Sequence, residues 1–515
     1  MGERHGRDRA RDKGGMLVFR HRLAPVRRPF VVLVLAGLLA SMTGAVVEGS
    51  AAGGNSRLPS WWSKLQLVSA PGFVPRASPG KTHSVTVGPN VDASNETGPQ
   101  SETSIAINPS NPSQIVAGAN EIDRLPMRAL FSGDGGKTWG GVDLPLPPPR
   151  TNNGFDFGSD PGIAWDTKGN VYYSWIVVFF SSGGAINGTS MAVSRSSDAG
   201  QTWMNTYFVP ETGTAQFDDK PMIAVDTNLR SPFRDTIYAA WDHTSNVNGK
   251  PSSTTGIVVT HSSDGGVTFS GQAFASSTAS GPKGDIGADP FVAPDGTLHV
   301  AWQDFQNSRL TESSSADGGN SFGPSHVIAS TQVAFDIGIP AMNTRRALLY
   351  PACGADSSTG SNRGTLYCSW MDGTLSGGTN VFVARSTDGG QTWTSPVKVN
   401  VDTRLADHFN QWLAVDPADG SVNVSWNDTR NDPTRVSTDI FYGRSTDGGR
   451  SFSPNVQVTT APTNETCCGA DLGNQYGDYE GIAALGGSIH PVWTDRRASV
   501  AALDEEVFTA TIKAR

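Results

Sequence analysis

The sequence predicts an all-β protein built from repeated units. Three observations favour this class: a short turn motif occurs six times, a pattern of four short strands surrounds each copy, and long helical periodicity is absent. The composition agrees, because 59 Gly and 32 Pro, with only 17% charged residues in 515, suit many short strands joined by turns. The length alone would allow two or three domains, but one closed repeat array can absorb all of it.

The turn motif has the pattern Ser-x-Asp-x-Gly-x-Thr/Ser-Trp/Phe, and its clearest copy spans residues 386–393. An Asp carboxylate accepts hydrogen bonds from amides a few residues further on, and Gly supplies the positive φ of a tight turn. One Asp-Gly-Gly would be an ordinary loop. Since the flanking Ser and aromatic residue stay in register in all copies, we interpret the motif as a repeat. The six copies begin at Ser132, Ser196, Ser262, Ser315, Ser386 and Ser445.

A larger unit surrounds each turn and is clearest at 411–458. We predict strands at 412–415, 421–426, 438–444 and 455–458, with the turn motif between the third and the fourth. This up-and-down meander is typical of a β-propeller blade. The same order recurs at 103–146, 160–209, 219–275, 288–329 and 350–399. The sequence therefore predicts a β-propeller of four-stranded blades.

The number of blades depends on the C-terminal unit. Strands are predicted at 481–485, 488–493 and 506–512, but the chain then ends without a turn motif or a fourth strand. The alternating segment 83–87 is a strand candidate at the other end of the chain, and we expect it to complete this last blade, which removes exposed sheet edges. Seven blades are therefore favoured, and six, the number of turn motifs, is the alternative.

The N-terminal segment has the layout of an export signal. Residues 1–28 are rich in Arg, an apolar run follows from Phe30 to about Ala40, and small residues come next. We predict a signal peptide over 1–52, a Gly-, Pro- and Ser-rich linker or arm over 53–82, and the propeller over 83–515. The prediction is a secreted protein without stable membrane insertion after signal cleavage. An uncleaved membrane anchor is the alternative.

The charge of the predicted mature chain argues against nucleic acid as a partner. Of 39 basic and 48 acidic residues, nine basic and four acidic ones lie in 1–52, so the rest has a net charge of −14. The four cysteines suit an oxidising compartment. Cys353 and Cys368 could bridge across a hairpin, whereas the adjacent Cys467 and Cys468 form either a vicinal disulfide or two free thiols. Cys and His lack zinc-ligand spacing, and neither a metal nor a cofactor is predicted.

The blade end opposite the turn motifs is rich in carboxylates. A Trp-x-Asp sequence closes the predicted second strand in four blades, at 302–304, 370–372, 426–428 and 493–495, and Trp241-Asp242 is a variant. The predicted first strands add Asp160, Asp219, Asp289 and Asp478 near the axis. A single such Trp is expected to pack between blades and a single Asp to cap a turn. As a set, we expect one or two carboxylates at this end of the channel to be functional.

The repeated turn resembles the Asp-box, or BNR, repeat of sialidase-like β-propellers, over most of the chain after about residue 100. Sialidases bind the substrate carboxylate with three arginines, attack with a Tyr that a Glu activates, and protonate with an Asp. The resemblance implies Tyr479 as nucleophile beside Glu480, with Asp160 or Asp219 as the acid. The implied clamp and further substrate contacts are Arg124, Arg430 and Arg496, with Asp289 and Asp428.

The chain departs from the sialidase pattern in three respects. Arg124 lies between the predicted second and third strands of its blade, not on the first, and Tyr479 precedes Arg496 instead of following it. Glu480 follows Tyr479 on a strand and is expected to point to the other side of the sheet. Two further arginines, Arg345 and Arg346, lie on the loop before the fifth blade.

Two functions of different kinds follow from these patterns. The first is a secreted exo-glycosidase acting on terminal acidic sugars; the second is a non-catalytic propeller that binds a glycan, a glycoconjugate or an extracellular protein. The discriminating feature is whether three arginines reach one carboxylate. His243 and His408 are expected on the same face and could serve as a base, as in propeller polysaccharide lyases. Motifs of serine hydrolases, zincins and nucleotide-binding enzymes are absent.

Overall fold

A computed structural model describes residues 84–94, 96, 98–149, 156–183, 186–204, 207–208, 216–247, 250–276, 283–375, 377–497 and 505–514. The predicted signal peptide and the predicted linker lie outside these residues. The described part is all-β, as predicted. Within it, no helix has the length and hydrophobicity that a membrane crossing requires.

The strands form seven four-stranded antiparallel blades and one additional hairpin. In chain order they are β1 (Val85–Asp92); β2 (Gln100–Ile107), β3 (Ile115–Glu121), β4 (Arg128–Ser132) and β5 (Gly140–Asp143) of blade one; β6 (Phe157–Trp165), β7 (Val171–Phe180), β8 (Ile186–Ser196) and β9 (Tyr207–Phe208) of blade two; β10 (Gln216–Val225), β11 (Ile237–Val247), β12 (Lys250–Ser262) and β13 (Ala273–Phe274) of blade three; β14 (Lys283–Val292), β15 (Leu298–Asp304), β16 (Arg309–Ser315) and β17 (His326–Ser330) of blade four; the hairpin β18 (Asp336–Ile339) and β19 (Met342–Leu348); β20 (Ala352–Ala355), β21 (Leu366–Gly373), β22 (Thr379–Ser386) and β23 (Val397–Lys398) of blade five; β24 (His408–Val415), β25 (Val422–Asp428), β26 (Asp439–Ser445) and β27 (Val456–Gln457) of blade six; and β28 (Gly481–Leu485), β29 (Ser488–Asp495) and β30 (Glu506–Ala514) of blade seven.

The blades close into a ring. The first strands of successive blades contact one another in the order β2, β6, β10, β14, β20, β24 and β28, and β28 contacts β2 again. In addition, β12 of blade three pairs with β14 of blade four over two residues. The prediction of seven blades is therefore confirmed, and the six-bladed alternative is excluded.

The last blade is completed by the N-terminal strand. β1 pairs antiparallel with β30, and Val85 lies opposite Ala514 and Val87 opposite Ile512. The valines pack against the apolar cluster of this blade, which contains Ile489. The predicted closure is thus confirmed, and it covers the edge of β30 that would otherwise expose unpaired amides and carbonyls.

Tryptophans of the second strands form the core between blades. Six of them expose at most 2% of their surface to solvent: Trp175, Trp241, Trp302, Trp370, Trp426 and Trp493. Burying a large aromatic ring removes much apolar surface from water, so these residues are major contributors to stability. The interpretation of the Trp-x-Asp tryptophans as packing residues agrees with this arrangement.

The repeated turns are held by their own side chains. In the copy at 386–393, the Ser386 hydroxyl donates to Asp388 (2.7 Å), and the Thr392 amide donates to the same carboxylate (3.0 Å). Gly389 and Gly390 have φ of 71° and 87°, which only Gly adopts without strain. The hydrogen bonds from Thr392 and Ser386 lower the pKa of Asp388 to about 2. These aspartates therefore stabilise turns at the blade end opposite the carboxylate-rich face.

Both cysteine pairs form disulfides. Cys353 and Cys368 lie opposite each other on β20 and β21, with their Cα atoms 4.1 Å apart. Cys467 and Cys468 form a vicinal disulfide. The first pair bridges a hairpin as the sequence suggests, and the second takes one of the two states that the sequence left open.

Loss of the hairpin disulfide is expected to destabilise the protein. Its cysteines are 15 residues apart, and closing a loop of this length stabilises the folded state by about 3 kcal/mol. The double variant Cys353→Ala/Cys368→Ala should therefore lose about that free energy of unfolding in guanidinium titrations. The pair Cys467→Ala/Cys468→Ala is the control, because a bond between neighbours closes almost no loop. Equal losses in both variants would contradict this account.

Candidate active site

The first strands of five blades share a β-bulge at the carboxylate-rich end. In each, two residues of the inner strand lie opposite a single residue of the second strand. The first residue of each bulge has positive φ: Glu102 (56°), Asp160 (60°), Lys220 (53°), Gly287 (77°) and Asn410 (47°). Four of the five are not Gly, and this conformation costs such residues on the order of 1 kcal/mol or more. Such a bulge changes the direction in which the side chain of its first residue points.

The sequence contains a signal for these bulges, although the strand pattern alone did not predict them. In four blades the residue opposite the bulge is the buried tryptophan of the second strand, as Trp175 is for Asp160 and Trp241 for Lys220. Pro follows both Asp160 and Lys220, and Pro inside a strand marks a bulge because it cannot donate to the ladder. A Trp aligned with an acidic or basic residue before Pro therefore indicates an inward-directed side chain.

A cavity of about 420 Å³ opens at this end of the ring, beside blades one to three. Acidic residues dominate its charged lining, namely Glu102, Glu121, Asp160, Asp219 and Asp478; the cations are Arg124 and Arg345. The structure thus brings together Asp160, Asp219 and Arg124, three of the predicted site residues, and adds Glu102 and Arg345, which were not chosen from the sequence.

Burial and mutual repulsion favour the protonated form of these carboxyl groups. Burial, together with the charges of Asp219 and Asp478, raises the pKa of Asp160 to about 7. The pKa of Asp219 is likewise raised to about 7, first by burial and then by the charge of Asp242. Burial also raises the pKa of Glu102. The cavity therefore offers carboxylic acids that can donate a proton near neutral pH.

Lys220 lies among aromatic rings and is buried. Its ammonium is 3.9 Å from the centroid of the Tyr479 ring and 4.2 Å from that of Tyr350, with Trp412 at 5.6 Å. Such cation–π contacts stabilise a desolvated cation. Burial lowers the pKa of Lys220, and nearby carboxylates, Asp242 foremost, oppose this effect.

Tyr479 and Glu480 do not form an activated pair. The Tyr479 hydroxyl is buried and has no hydrogen-bond partner among the described residues. Burial and the charges of Asp160 and Glu102 raise the pKa of Tyr479 well above its usual value. Glu480 lies buried just before β28 and accepts hydrogen bonds from Asn427 (2.7 Å) and the Thr494 amide (3.1 Å). The role of Tyr479 as nucleophile stays a prediction, without a base beside it.

The three arginines of the predicted clamp are not brought together. Arg124 lines the cavity but pairs with Glu96 and Asp143. In blade six, the guanidinium of Arg430 donates a hydrogen bond to Asp428. Arg496 is buried, and its guanidinium donates to the backbone carbonyls of the vicinal disulfide (2.9 and 3.0 Å). Each arginine is held by acceptors close to its own blade, so the three do not converge on one ligand.

Asp289 and Asp428, the other predicted substrate contacts, connect elements of the fold. Asp289 accepts a hydrogen bond from the Cys353 amide of the next blade (2.6 Å). Asp428 accepts one from the Trp426 indole (2.7 Å). Neither lines the cavity. Asp372 has a similar role, since its carboxylate accepts from the Gln332 amide (2.9 Å) and burial raises its pKa.

The histidines of this face lie in hydrogen-bonded networks outside the cavity lining. His243 contacts Asp218 (2.7 Å). Asp402, His408 and Asp428 each place one ligand atom within 4.8 Å of the others, so these three could hold a metal ion. However, Arg430 already pairs with both carboxylates, at 3.5 Å from Asp402 and 2.5 Å from Asp428. The group is explained as a charge network.

No family model and no curated protein matches the sequence. Among solved structures, the chain is similar to a leech intramolecular trans-sialidase (13% identity, 70% of this chain and 68% of that chain, TM-score 0.43) and to an α-L-arabinofuranosidase from Fusarium graminearum (10%, 82% and 97%, 0.45). It is also similar to a Dyadobacter fermentans protein of unknown function (14%, 84% and 99%, 0.45). Similarity at this level assigns no role to any residue of the cavity.

Proposed function

We propose that the protein is a glycoside hydrolase whose reaction takes place in the cavity beside blades one to three. The supporting observation is that bulged strands direct buried carboxyl groups, Asp160 and Asp219, at one cavity of about 420 Å³. This volume lies within the range of small-ligand sites. Hydrolysis of a glycosidic bond requires two carboxyl groups in one site, and two carboxyl groups face this cavity.

The proposed chemistry assigns one proton and one negative charge. Asp160, with Asp219 as the alternative, donates a proton to the departing glycosidic oxygen, since its pKa, raised to about 7, leaves a large fraction of it protonated up to that pH. An ionised carboxylate of the cavity stabilises the developing oxocarbenium ion and directs water to the anomeric carbon. The water molecule thus supplies the hydroxyl group of one product, and its remaining proton returns to the carboxyl group that acted as the acid.

A neutral sugar fits the cavity better than the acidic sugar that the sialidase resemblance implies. Recognition of a substrate carboxylate needs arginines whose donors are available. Arg124 and Arg345, which line the cavity, pair with Glu96 and Glu102, respectively. A second anion would therefore compete with carboxylates of the protein itself.

A panel of aryl glycosides tests this proposal with the purified full chain. The panel includes neutral glycosides and one aryl sialoside. We expect turnover of at least one neutral glycoside, such as an arabinofuranoside or a hexoside, and no turnover of the sialoside. Turnover of the sialoside alone would restore the acidic-sugar hypothesis. Binding on a glycan array without any turnover would favour the second candidate, a glycan-binding propeller.

We also propose that the protein is exported by its N-terminal segment. The Arg-rich stretch, the apolar run and the small residues before residue 53 support this proposal. Mass spectrometry of the protein from the culture medium should find a chain that begins near residue 53. A full-length chain confined to the cells would contradict it.

A further inference from the structure

The cavity is lined by apolar side chains as well as by carboxyl groups. The apolar lining residues are Ile122, Leu125, Phe157, Ile176 and Val178. A single exposed apolar side chain needs no explanation, but several that line one cavity together form a surface that water solvates poorly. Sites for small molecules combine such a surface with a few polar groups. We refer to these five residues as the apolar wall.

The strand register of blade two builds the larger part of the apolar wall. Phe157 lies opposite Val178, and Ser159 lies opposite Ile176, on β6 and β7. Because side chains alternate along a strand, Phe157, Ile176 and Val178 lie on the same side of the sheet. Ile176 and Val178 are buried in a cluster that contains Trp241 of blade three, and Phe157 packs against this cluster. This part of the wall is therefore an extension of the core that reaches the cavity.

Leu125 extends the apolar wall from blade one. Its carbonyl accepts a hydrogen bond from the Gly158 amide (2.8 Å), which attaches the loop between β3 and β4 to β6. A Cβ atom at position 158 would lie 2.6 Å from Met127 and 2.9 Å from Trp175, so this close approach requires Gly. Leu125 nevertheless keeps 42% of its surface exposed. A fixed backbone thus holds an apolar side chain at the cavity in contact with solvent.

The apolar wall and the proposed acid belong to the same strand. Asp160 follows Phe157 by three residues on β6, which corresponds to about 10 Å along a strand. The alternative acid, Asp219, reaches the cavity from β10 of the next blade. A general acid protonates the oxygen atom of the departing group, so that group must lie beside the acid. With Asp160 as the acid, the departing group lies beside β6, close to the apolar wall.

We propose that the apolar wall binds the departing group, and that the substrates are glycosides of an apolar alcohol, with an alkyl or aryl aglycone. This inference rests on the proposed function, because the acid defines where the aglycone lies. The bond between the anomeric carbon and the glycosidic oxygen breaks, Asp160 supplies the proton, and the aglycone leaves as the free alcohol. Water supplies the new hydroxyl group of the sugar. A polysaccharide substrate would instead place a second polar sugar against the wall.

A series of alkyl glycosides tests this preference with the full chain. The sugar is one that the wild type hydrolyses, and the aglycone is methyl, butyl or hexyl, whose alcohols leave with nearly equal ease. Each methylene group that is buried on the apolar wall favours binding, so kcat/KM should rise at least about tenfold from methyl to hexyl. A kcat/KM that does not rise with chain length would overturn the proposal, and so would a preference for disaccharides over hexyl glycosides.

Leu125→Ser removes apolar surface from the wall without leaving a void in the core, because Leu125 is partly exposed. In this variant kcat/KM for the hexyl glycoside should fall about fivefold, while the value for the methyl glycoside should change less than about twofold. Leu229→Ser is the matched control, since Leu229 is an exposed leucine outside the cavity lining, and it should leave both values unchanged. Equal losses for the two glycosides in Leu125→Ser would show that Leu125 acts on the sugar or on the fold, and would overturn the proposal.

A binding measurement separates this inference from the proposed function. Nile red is a neutral apolar dye whose fluorescence rises in apolar surroundings, and its titration into the full chain needs no turnover. We expect saturable binding to wild type and to Leu229→Ser, and binding at least about threefold weaker to Leu125→Ser. If the wild type binds the dye in this way but hydrolyses no glycoside, the proposed function fails, while the apolar wall is supported as a ligand site. Equal binding by the three proteins, or none, would overturn the wall as a binding surface even if the protein is a glycosidase.

Discussion

Replacing Asp160 with Asn is expected to lower kcat about 10²–10⁴-fold while the propeller stays folded. Asn has nearly the same size but cannot donate the proton that the departing sugar oxygen requires. Wild-type kcat should fall as the pH rises through about 7, where Asp160 loses its proton, and this limb should vanish in the variant. Aryl glycosides with good leaving groups should be affected least, because they depart without much help from an acid.

Two comparisons make the Asp160 experiment specific. Asp219→Asn tests the alternative acid in the same cavity. Asp372→Asn is the control, since Asp372 is also buried with a raised pKa but lies outside the cavity lining. If Asp219→Asn alone abolishes the basic limb, Asp219 is the acid. Full activity of both cavity variants would exclude the proposed mechanism.

The same substitution has a predicted effect on stability. The pKa of Asp160 is raised in the folded state, from its usual 3.8 to about 7, so the folded protein holds this proton more tightly than the unfolded chain. Wild-type stability is therefore lost as the pH rises from about 4 to about 7, and it is not regained above that range. Asp160→Asn should remove this loss, so the variant should melt at a higher temperature than wild type at pH 8. The lower stability of the wild type is the usual cost of keeping a functional charge.

A variant that begins at Ala93 is expected to lose several kcal/mol of folding free energy, on the order of 5–10, because β1 supplies the fourth strand of blade seven. Its absence removes Val85 and Val87 from the apolar cluster and leaves the edge of β30 unpaired. Such an edge invites association between chains. Guanidinium titration and size-exclusion chromatography should show a lower midpoint and aggregates.

The control for this prediction is a variant that begins at Ser84 and keeps β1. It differs from the shorter variant only by the residues that pair with β30, so a difference between the two reports the closure itself. Equal midpoints and a monomeric elution of both variants would contradict the assignment of β1 as the closing strand.

Most of the fold could be predicted because its determinants are local. The turn around Asp388 is held by hydrogen bonds within seven residues, and it recurs in a fixed place relative to the strands. Strand order in an up-and-down meander follows from short connections. The closing strand was predictable from a different argument, since three strands at one end and a spare alternating segment at the other complete one blade.

The site was only partly predictable. The sequence could place Asp160 and Asp219 at the cavity because the first strand of a blade faces the axis, which is a consequence of topology. For Arg430 and Arg496, the position in the sequence indicates which end of a blade they occupy but not which acceptor they bind. Acceptors nearby in the structure, Asp428 and the vicinal disulfide carbonyls, hold them outside the cavity.

The sequence by itself determined the class, the blade number and the face on which carboxylates gather, because repeats and periodicity encode local geometry. Only the tertiary structure decided which of those charges meet. Arg345 and Glu102 are 243 residues apart and interact because the ring closes and an inserted hairpin reaches the closure. A contact of this kind depends on the placement of every blade between the two residues, and no local pattern in the sequence records it.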